Sequence, residues 1–155
     1  MASCRMRPTA TATSAVVLLA QPRHDERDMY AEFLRSRRFL PVIVSAVADV
    51  LTVAPRVDIV VTETLLPGHL DGLEMVAQLK RNKRTKAIPV IVLTACGWRS
   101  ERDRARAAGC DVFLAKPCLP DLLVREIRRL LRLYGAPKPQ PSRALQATPR
   151  KRLAS

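Results

Sequence analysis

Five short, continuously apolar runs recur along the chain, each followed by an amphipathic stretch, and this rhythm limits the fold more than any other feature. The runs are Ala15–Leu19, Pro41–Val44, Val57–Thr62, Ile88–Leu93 and Val112–Leu114. The stretches between and after them are Asp25–Arg37, Ala46–Val53, Gly72–Lys80, Ser100–Ala108 and Leu119–Leu133. Runs this short read as strands, and apolar residues recurring at three to four positions read as helices. In the first helix the apolar face is Met29, Tyr30, Phe33 and Leu34, with Asp25 as the expected N-cap. Leu73, Val76, Ala77 and Leu79 define the face of the third, and Ser100 and Gly109 are the expected caps of the fourth.

Strands apolar on both faces belong to a parallel sheet covered by helices on each side. Right-handed crossovers then leave an α/β fold, a single doubly wound (βα)5 three-layer sandwich on a five-stranded parallel sheet. Sites in such folds lie at the carboxyl ends of the strands. Attention therefore falls on Ala20–Pro22, Glu63, Thr94–Ala95 and Lys116. Aromatic residues make up only 4% of the 155 residues, so the core must come from Val, Leu, Ile and Ala.

The net charge of +13 is concentrated toward the ends. Residues 1–14 hold Arg5 and Arg7 with no acid. Residues 135–155 hold Lys138, Arg143, Arg150, Lys151 and Arg152, again with no acid. The expected organisation is a flexible basic N-terminus (1–14), one domain (15–134) and a disordered, Pro-rich basic tail (135–155). The tail is too short for a helix-turn-helix output module, so output is expected to come from a partner. The apolar run Ala15–Ala20 is too short for a signal peptide or membrane span, and a cytoplasmic protein is expected. Cys4, Cys96, Cys110 and Cys118 form no CxxC pair and no zinc spacing, so reduced thiols are expected, with the last three as small buried apolar residues near the site end of the sheet. No phosphate loop, dinucleotide fingerprint or nucleophile elbow is present, which argues against an enzyme. His24 and His69 lie near the strand-end face without a nucleophile or metal constellation.

The segments "VVTETLLPG" (60–68), "DGLEMVAQLKRNKRTKAIPVIVLTA" (71–95) and "RARAAGCDVFLAKP" (104–117) resemble the receiver domain of bacterial response regulators over residues 15–134. The resemblance rests on Thr94-Ala95 after the fourth strand, Lys116-Pro117 after the fifth, and Leu66-Pro67-Gly68 with Asp71-Gly72 after the third. It implies two-component phosphorelay signalling, in which a histidine kinase phosphorylates an aspartate at the end of strand three. An acidic pair after strand one helps that aspartate hold Mg²⁺, a Thr and a Lys bind the phosphoryl oxygens, and an aromatic on strand five switches rotamer. It also implies a cis Lys116-Pro117 bond. Phosphoryl transfer needs this equipment because a metal and a cation must neutralise developing charge.

Carried over by position, Thr94, Lys116 and Phe113 match the hydroxyl, the lysine and the switch aromatic. Gln21 and Pro22 stand where the acidic pair should be, and Glu63 stands where the phosphoacceptor Asp should be. The 67–72 loop is one residue longer than the commonest receiver form. Mg²⁺ prefers carboxylate oxygens in octahedral array, whereas Gln21 offers a neutral amide oxygen and Pro22 none. The metal site is therefore expected to be degenerate, with no catalytic residue, no metal ligand set and no cofactor. Asp25 and Asp71 could reach inward, but their positions also suit helix caps. Glu63 is expected to face Lys116, either mimicking part of a phosphorylated state or only neutralising a partly buried lysine.

The resulting expectation is a stand-alone atypical receiver, a pseudo-receiver acting by protein–protein interaction with a histidine kinase or a downstream output protein. A phosphorylatable regulator is the first alternative. The family also uses its fourth helix, fifth strand and fifth helix as a dimer and output surface. Here Arg102 and Arg106, with Arg99 and Arg104, and then Arg125, Arg128, Arg129 and Arg132 make that region basic. The surface would suit a homodimer or an acidic partner. The second alternative is a nucleic-acid-binding module using the last helix and tail. The Trp98 loop is either an interface anchor or a lid on its own base.

Overall fold

The computed structural model describes residues 14–67 and 71–135. The five apolar runs become β1 (Val16–Ala20), β2 (Leu40–Val44), β3 (Ile59–Thr62), β4 (Val90–Thr94) and β5 (Val112–Ala115). The helices are α1 (His24–Ser36), α2 (Val47–Val53), α3 (Gly72–Arg81), α4 (Arg99–Ala108) and α5 (Pro120–Tyr134), with a short 3-10 turn at Ala54–Arg56. All four strand pairings are parallel, in the order β2-β1-β3-β4-β5. The doubly wound sandwich expected from the sequence is the fold observed. The order reverses between β1 and β3, and there the carboxyl ends of the strands open a crevice.

Alternation along the strands builds two cores. Val16, Leu18, Val60, Val90 and Val92 face α2, α3 and α4, where Val50, Leu73, Met75, Val76 and Leu79 cover them. Val17, Leu19, Ile59, Val61, Ile91 and Leu93 face α1 and α5, under Tyr30, Leu34, Leu123, Ile127 and Leu130. Burial of both strand faces explains why the runs show no polar alternation. Met29 is exposed, whereas Ala31 takes its expected place in the core. Met75 adds to the buried face of α3.

Two expected caps are corrected. α1 begins at His24, with Arg23 as an N-cap that makes no side-chain hydrogen bond, so Asp25 lies in the first turn. α4 begins at Arg99 behind Trp98, which leaves Ser100 inside the helix. In both cases the chain leaving a strand enters the helix before reaching the polar residue. Asp25 and Glu26 still favour the helix start through their charge. Asp71 does cap α3, accepting from the Glu74 N–H at 2.7 Å. Gly109 ends α4 in the left-handed region, with φ of 100°. The expectations for the basic ends fall on residues 1–13 and 136–155, outside the described residues, as does His69.

Candidate functional site

Glu63 follows directly on β3, and its N–H donates to the Ala20 carbonyl of β1 at 3.0 Å. The residue is only 6% exposed. One carboxylate oxygen, Oε1, accepts from the Thr64 N–H at 2.8 Å and the Thr64 hydroxyl at 3.1 Å. The other, Oε2, lies 3.1 Å from Lys116 Nζ. Thr64 Oγ1 in turn stands 2.9 Å from Thr94 Oγ1, and Thr94 accepts from the Cys96 N–H at 3.1 Å. Glu63 thus meets Lys116 directly and Thr94 through Thr64.

Lys116 follows β5 and is almost enclosed. Its ammonium donates to Gln21 Oε1 at 2.8 Å and to Glu26 Oε2 at 2.6 Å, besides pairing with Glu63. Gln21, fully buried at the end of β1, turns its amide N–H toward the Leu93 carbonyl at 3.4 Å. The Lys116-Pro117 peptide is cis. The loop beyond it is pinned by Tyr30, whose hydroxyl donates to the Cys118 carbonyl at 2.7 Å. Burial pushes the Tyr30 phenol up to about 12.

Gly72 explains how this corner stays closed. A Cβ at that position would lie 2.2 Å from the Glu63 carbonyl oxygen and 3.0 Å from Thr64 Cα. Without one, the Gly72 N–H donates to the Thr64 carbonyl at 2.8 Å, and the start of α3 presses against the loop that carries Glu63. Only glycine permits so close a backbone approach.

Sequence reasoning found Gln21, Glu63, Thr94 and Lys116, and the structure gathers all four. Pro22 is half-buried beside them. Two participants went unnoticed, Glu26 and Thr64. With α1 starting at His24, Glu26 rather than Asp25 turns toward Lys116, since neighbouring helical residues point about 100° apart. The signal for Thr64 was its position next to Glu63, where a hydroxyl can close onto the carboxylate. Asp25 and His24 are exposed at the start of α1. Asp71 is occupied as a cap and by Arg104 at 3.3 Å.

Phe113 is half-buried on β5 with the Arg102 guanidinium 5.6 Å from its ring centroid. Arg102, Arg106, Cys110, Asp111 and Phe113 line one small depression. Arg125, Arg128 and Arg132 line a different groove with Arg37 and Asp121, while Arg129 pairs with Glu126 at 2.8 Å. Trp98 is 74% exposed, so it does not cover its own loop. Cys118 is buried as expected, but Cys96 and Cys110 are only half-buried. Cys110 precedes β5 and so sits at the opposite end of the sheet from Cys96 and Cys118. Burial raises its thiol to about 11.

An acid, a hydroxyl and a lysine gathered where a parallel sheet reverses its strand order define a receiver-type α/β domain. Residues 17–128 match the response regulator receiver domain. The chain therefore belongs to the response regulator receiver family, whose members are signalling modules working with histidine kinases and output partners in two-component systems. It is 32% identical over 120 residues to the phosphate regulon transcriptional regulatory protein PhoB of Escherichia coli K12, covering 75% of this chain and 51% of PhoB. The chain thus spans about half the length of that relative. It is 27% identical over 135 residues to the two-component response regulator ORR5 of Oryza sativa subsp. japonica, covering 85% of this chain and all of ORR5. Among solved structures, the receiver domain of the sensor histidine kinase PA1611 from Pseudomonas aeruginosa, which has a magnesium ion coordinated in its active-site cleft, superposes with a TM-score of 0.68 at 25% identity, covering 79% and 99% of the two chains. The chemotaxis response regulator CheY4 of Vibrio cholerae shares the fold, with a TM-score of 0.70 at 23% identity and 77% and 100% coverage. No helix among the described residues is long and apolar enough to cross a membrane.

Proposed function

We propose that this domain is an atypical receiver that signals in the cytoplasm by protein–protein contact, with Glu63 as a fixed charge, rather than by ordinary Mg²⁺-dependent aspartyl phosphorylation. The observation that carries the reading is the occupancy of the Glu63 carboxylate. One oxygen is held by Thr64 and the other by Lys116 at 3.1 Å. Gln21, at an expected metal-ligand position, gives its amide oxygen to the same lysine at 2.8 Å, and Pro22 has no ligand atom to give.

The donor set does not fit Mg²⁺. The ion takes hard, anionic oxygens in near-ideal octahedral geometry. Here the carboxylates at the site, Glu63 and Glu26, are both turned onto an ammonium. A dication would share these two carboxylates with the ammonium and would find no anionic oxygen at the acidic-pair positions, since Gln21 is neutral and Pro22 has no ligand atom. The receiver of PA1611 coordinates magnesium in its cleft; in this chain Gln21 and Pro22 supply no anionic oxygen where the family places its acidic pair. The partner, in this reading, is a histidine kinase or an output protein that recognises the Lys116-centred arrangement. Cytoplasmic placement is consistent with three cysteines among the described residues that form no disulfide.

The test is incubation of the protein with acetyl phosphate and Mg²⁺, read on a phosphate-affinity gel, beside calorimetric Mg²⁺ titration. No phospho-protein and no Mg²⁺ heat are expected. The triple variant Gln21→Asp/Pro22→Asp/Glu63→Asp is expected to gain Mg²⁺ binding. A phosphorylated Glu63 in the unaltered protein would sink the reading in favour of a phosphorylatable regulator.

A further inference from the structure

The groove between the end of α1 and α5 is strongly basic. Arg37, Arg125, Arg128 and Arg132 line it with Val124, and a single carboxylate, Asp121, lies among them. Asp121 meets Arg37 at 3.4 Å, which leaves the groove with a clear excess of positive charge. Its volume is about 440 Å³.

Two of the guanidinium groups are preset. Arg37 lies 4.8 Å from the centroid of the Phe33 ring, and Arg128 lies 5.9 Å from that of Phe39. Stacking on an aromatic face reduces the freedom that binding must otherwise remove. Arg125, Arg128 and Arg132 share one face of α5, and the row spans roughly 10 Å at about 1.5 Å per residue. That length matches roughly three nucleotides along one strand of a duplex.

We propose that this groove binds the phosphate backbone of double-stranded nucleic acid, independently of the Lys116 site. Two observations favour a duplex over other anionic partners. The charge is not confined to the groove: the chain carries +13 overall, and the sequence after α5 adds Lys138, Arg143, Arg150, Lys151 and Arg152 without an acid. Excess charge of this extent suits a long polyanion better than a local acidic patch. The nearby rings Phe33 and Phe39 already carry guanidinium groups, so they are poor platforms for stacking single-stranded bases.

Fluorescence anisotropy with a mixed-sequence DNA duplex of about 24 base pairs, between about 50 and 200 mM salt, tests the proposal. Arg125→Gln/Arg128→Gln/Arg132→Gln is expected to weaken binding at least tenfold and to reduce the salt slope by about two to three. Arg→Lys at the same three positions keeps the charge but loses the stacking and the planar donors, and should weaken binding less than the Gln set does. The control Arg99→Gln/Arg102→Gln/Arg106→Gln removes equal charge from α4 and should cost less than threefold. Circular dichroism spectra of all variants should match the parent. Equal losses in the two Gln sets would overturn the proposal, because net charge alone would then explain binding. Absence of binding by the unaltered protein at the lowest salt would overturn it as well. So would tighter binding to poly-glutamate than to the duplex at matched charge, which would point to an acidic protein.

Discussion

The two ends of the sheet each pair a lysine with a carboxylate at about 3 Å, but they use the pair differently. At the amino end, Asp111 Oδ2 accepts from Lys80 at 2.9 Å and from the Val90 N–H at 2.7 Å. Its other oxygen takes the Tyr134 hydroxyl. Asp58 likewise receives the Val16 N–H at 2.8 Å. These carboxylates satisfy backbone groups where strands begin, so they are tied into the ladder itself. At the carboxyl end, Lys116 is surrounded by side-chain oxygens from Gln21, Glu26 and Glu63. The first arrangement fixes the fold. The second joins side chains to one ammonium, so losing one of its contacts undoes no strand.

The largest expected effect tests the point where the carboxyl end does depend on backbone. Gly72→Ala would force a Cβ to within 2.2 Å of the Glu63 carbonyl and should cost about 3 kcal/mol of unfolding free energy in denaturant titration. A cost below about 1 kcal/mol would mean that the α3 start can slide away from the loop.

Next comes the direct comparison of the two carboxylates. Asp111→Ala strands the Val90 N–H and leaves the Lys80 ammonium with only the Ile88 carbonyl at 3.0 Å, and about 2 kcal/mol should be lost. Glu63→Gln leaves Lys116 with Gln21 and Glu26 and should cost only about 1 kcal/mol. Equal losses in chemical denaturation would erase the distinction between a fold-fixing and an exchangeable pair.

The smallest effect is alkaline. Tyr30, at the carboxyl end, and Tyr134, at the amino end, are both raised from 10.0 to about 12, Tyr30 chiefly by burial and Tyr134 chiefly by its hydrogen bond to Asp111. A phenol raised on folding lends stability that is intact below pH 10 and is lost as pH climbs toward 12, because the unfolded chain ionises first. Thermal melts should show that decline, and Tyr30→Phe should flatten it more than Tyr134→Phe, since Tyr30 is 3% exposed and Tyr134 44%. The opposite ranking would assign the alkaline sensitivity to the amino end.

The fold was legible because five short apolar runs, buried on both faces, alternate regularly with amphipathic stretches. Glu63, Thr94 and Lys116 were legible because the strand-end rule and the receiver resemblance both pointed to them. Glu26 was not, since its role depends on where α1 starts. That start is set by how the chain leaves β1, and the Asp25 cap signal misplaced it by one residue. Thr64 was missed for a related reason: a hydroxyl next to an acid looks like turn chemistry until the loop geometry aims it at Thr94. The arginines read as one basic region divide between two depressions because α4 and α5 lie on opposite sides of the sheet.

An ammonium has three hydrogens, and three oxygens already stand within 3.1 Å of Lys116 Nζ. They come from the end of β1, from α1 and from the end of β3. Any anion reaching this lysine must therefore enter by substitution, ejecting one of them. Whichever oxygen yields decides what is released: the β1 end, the first helix or the β3 corner.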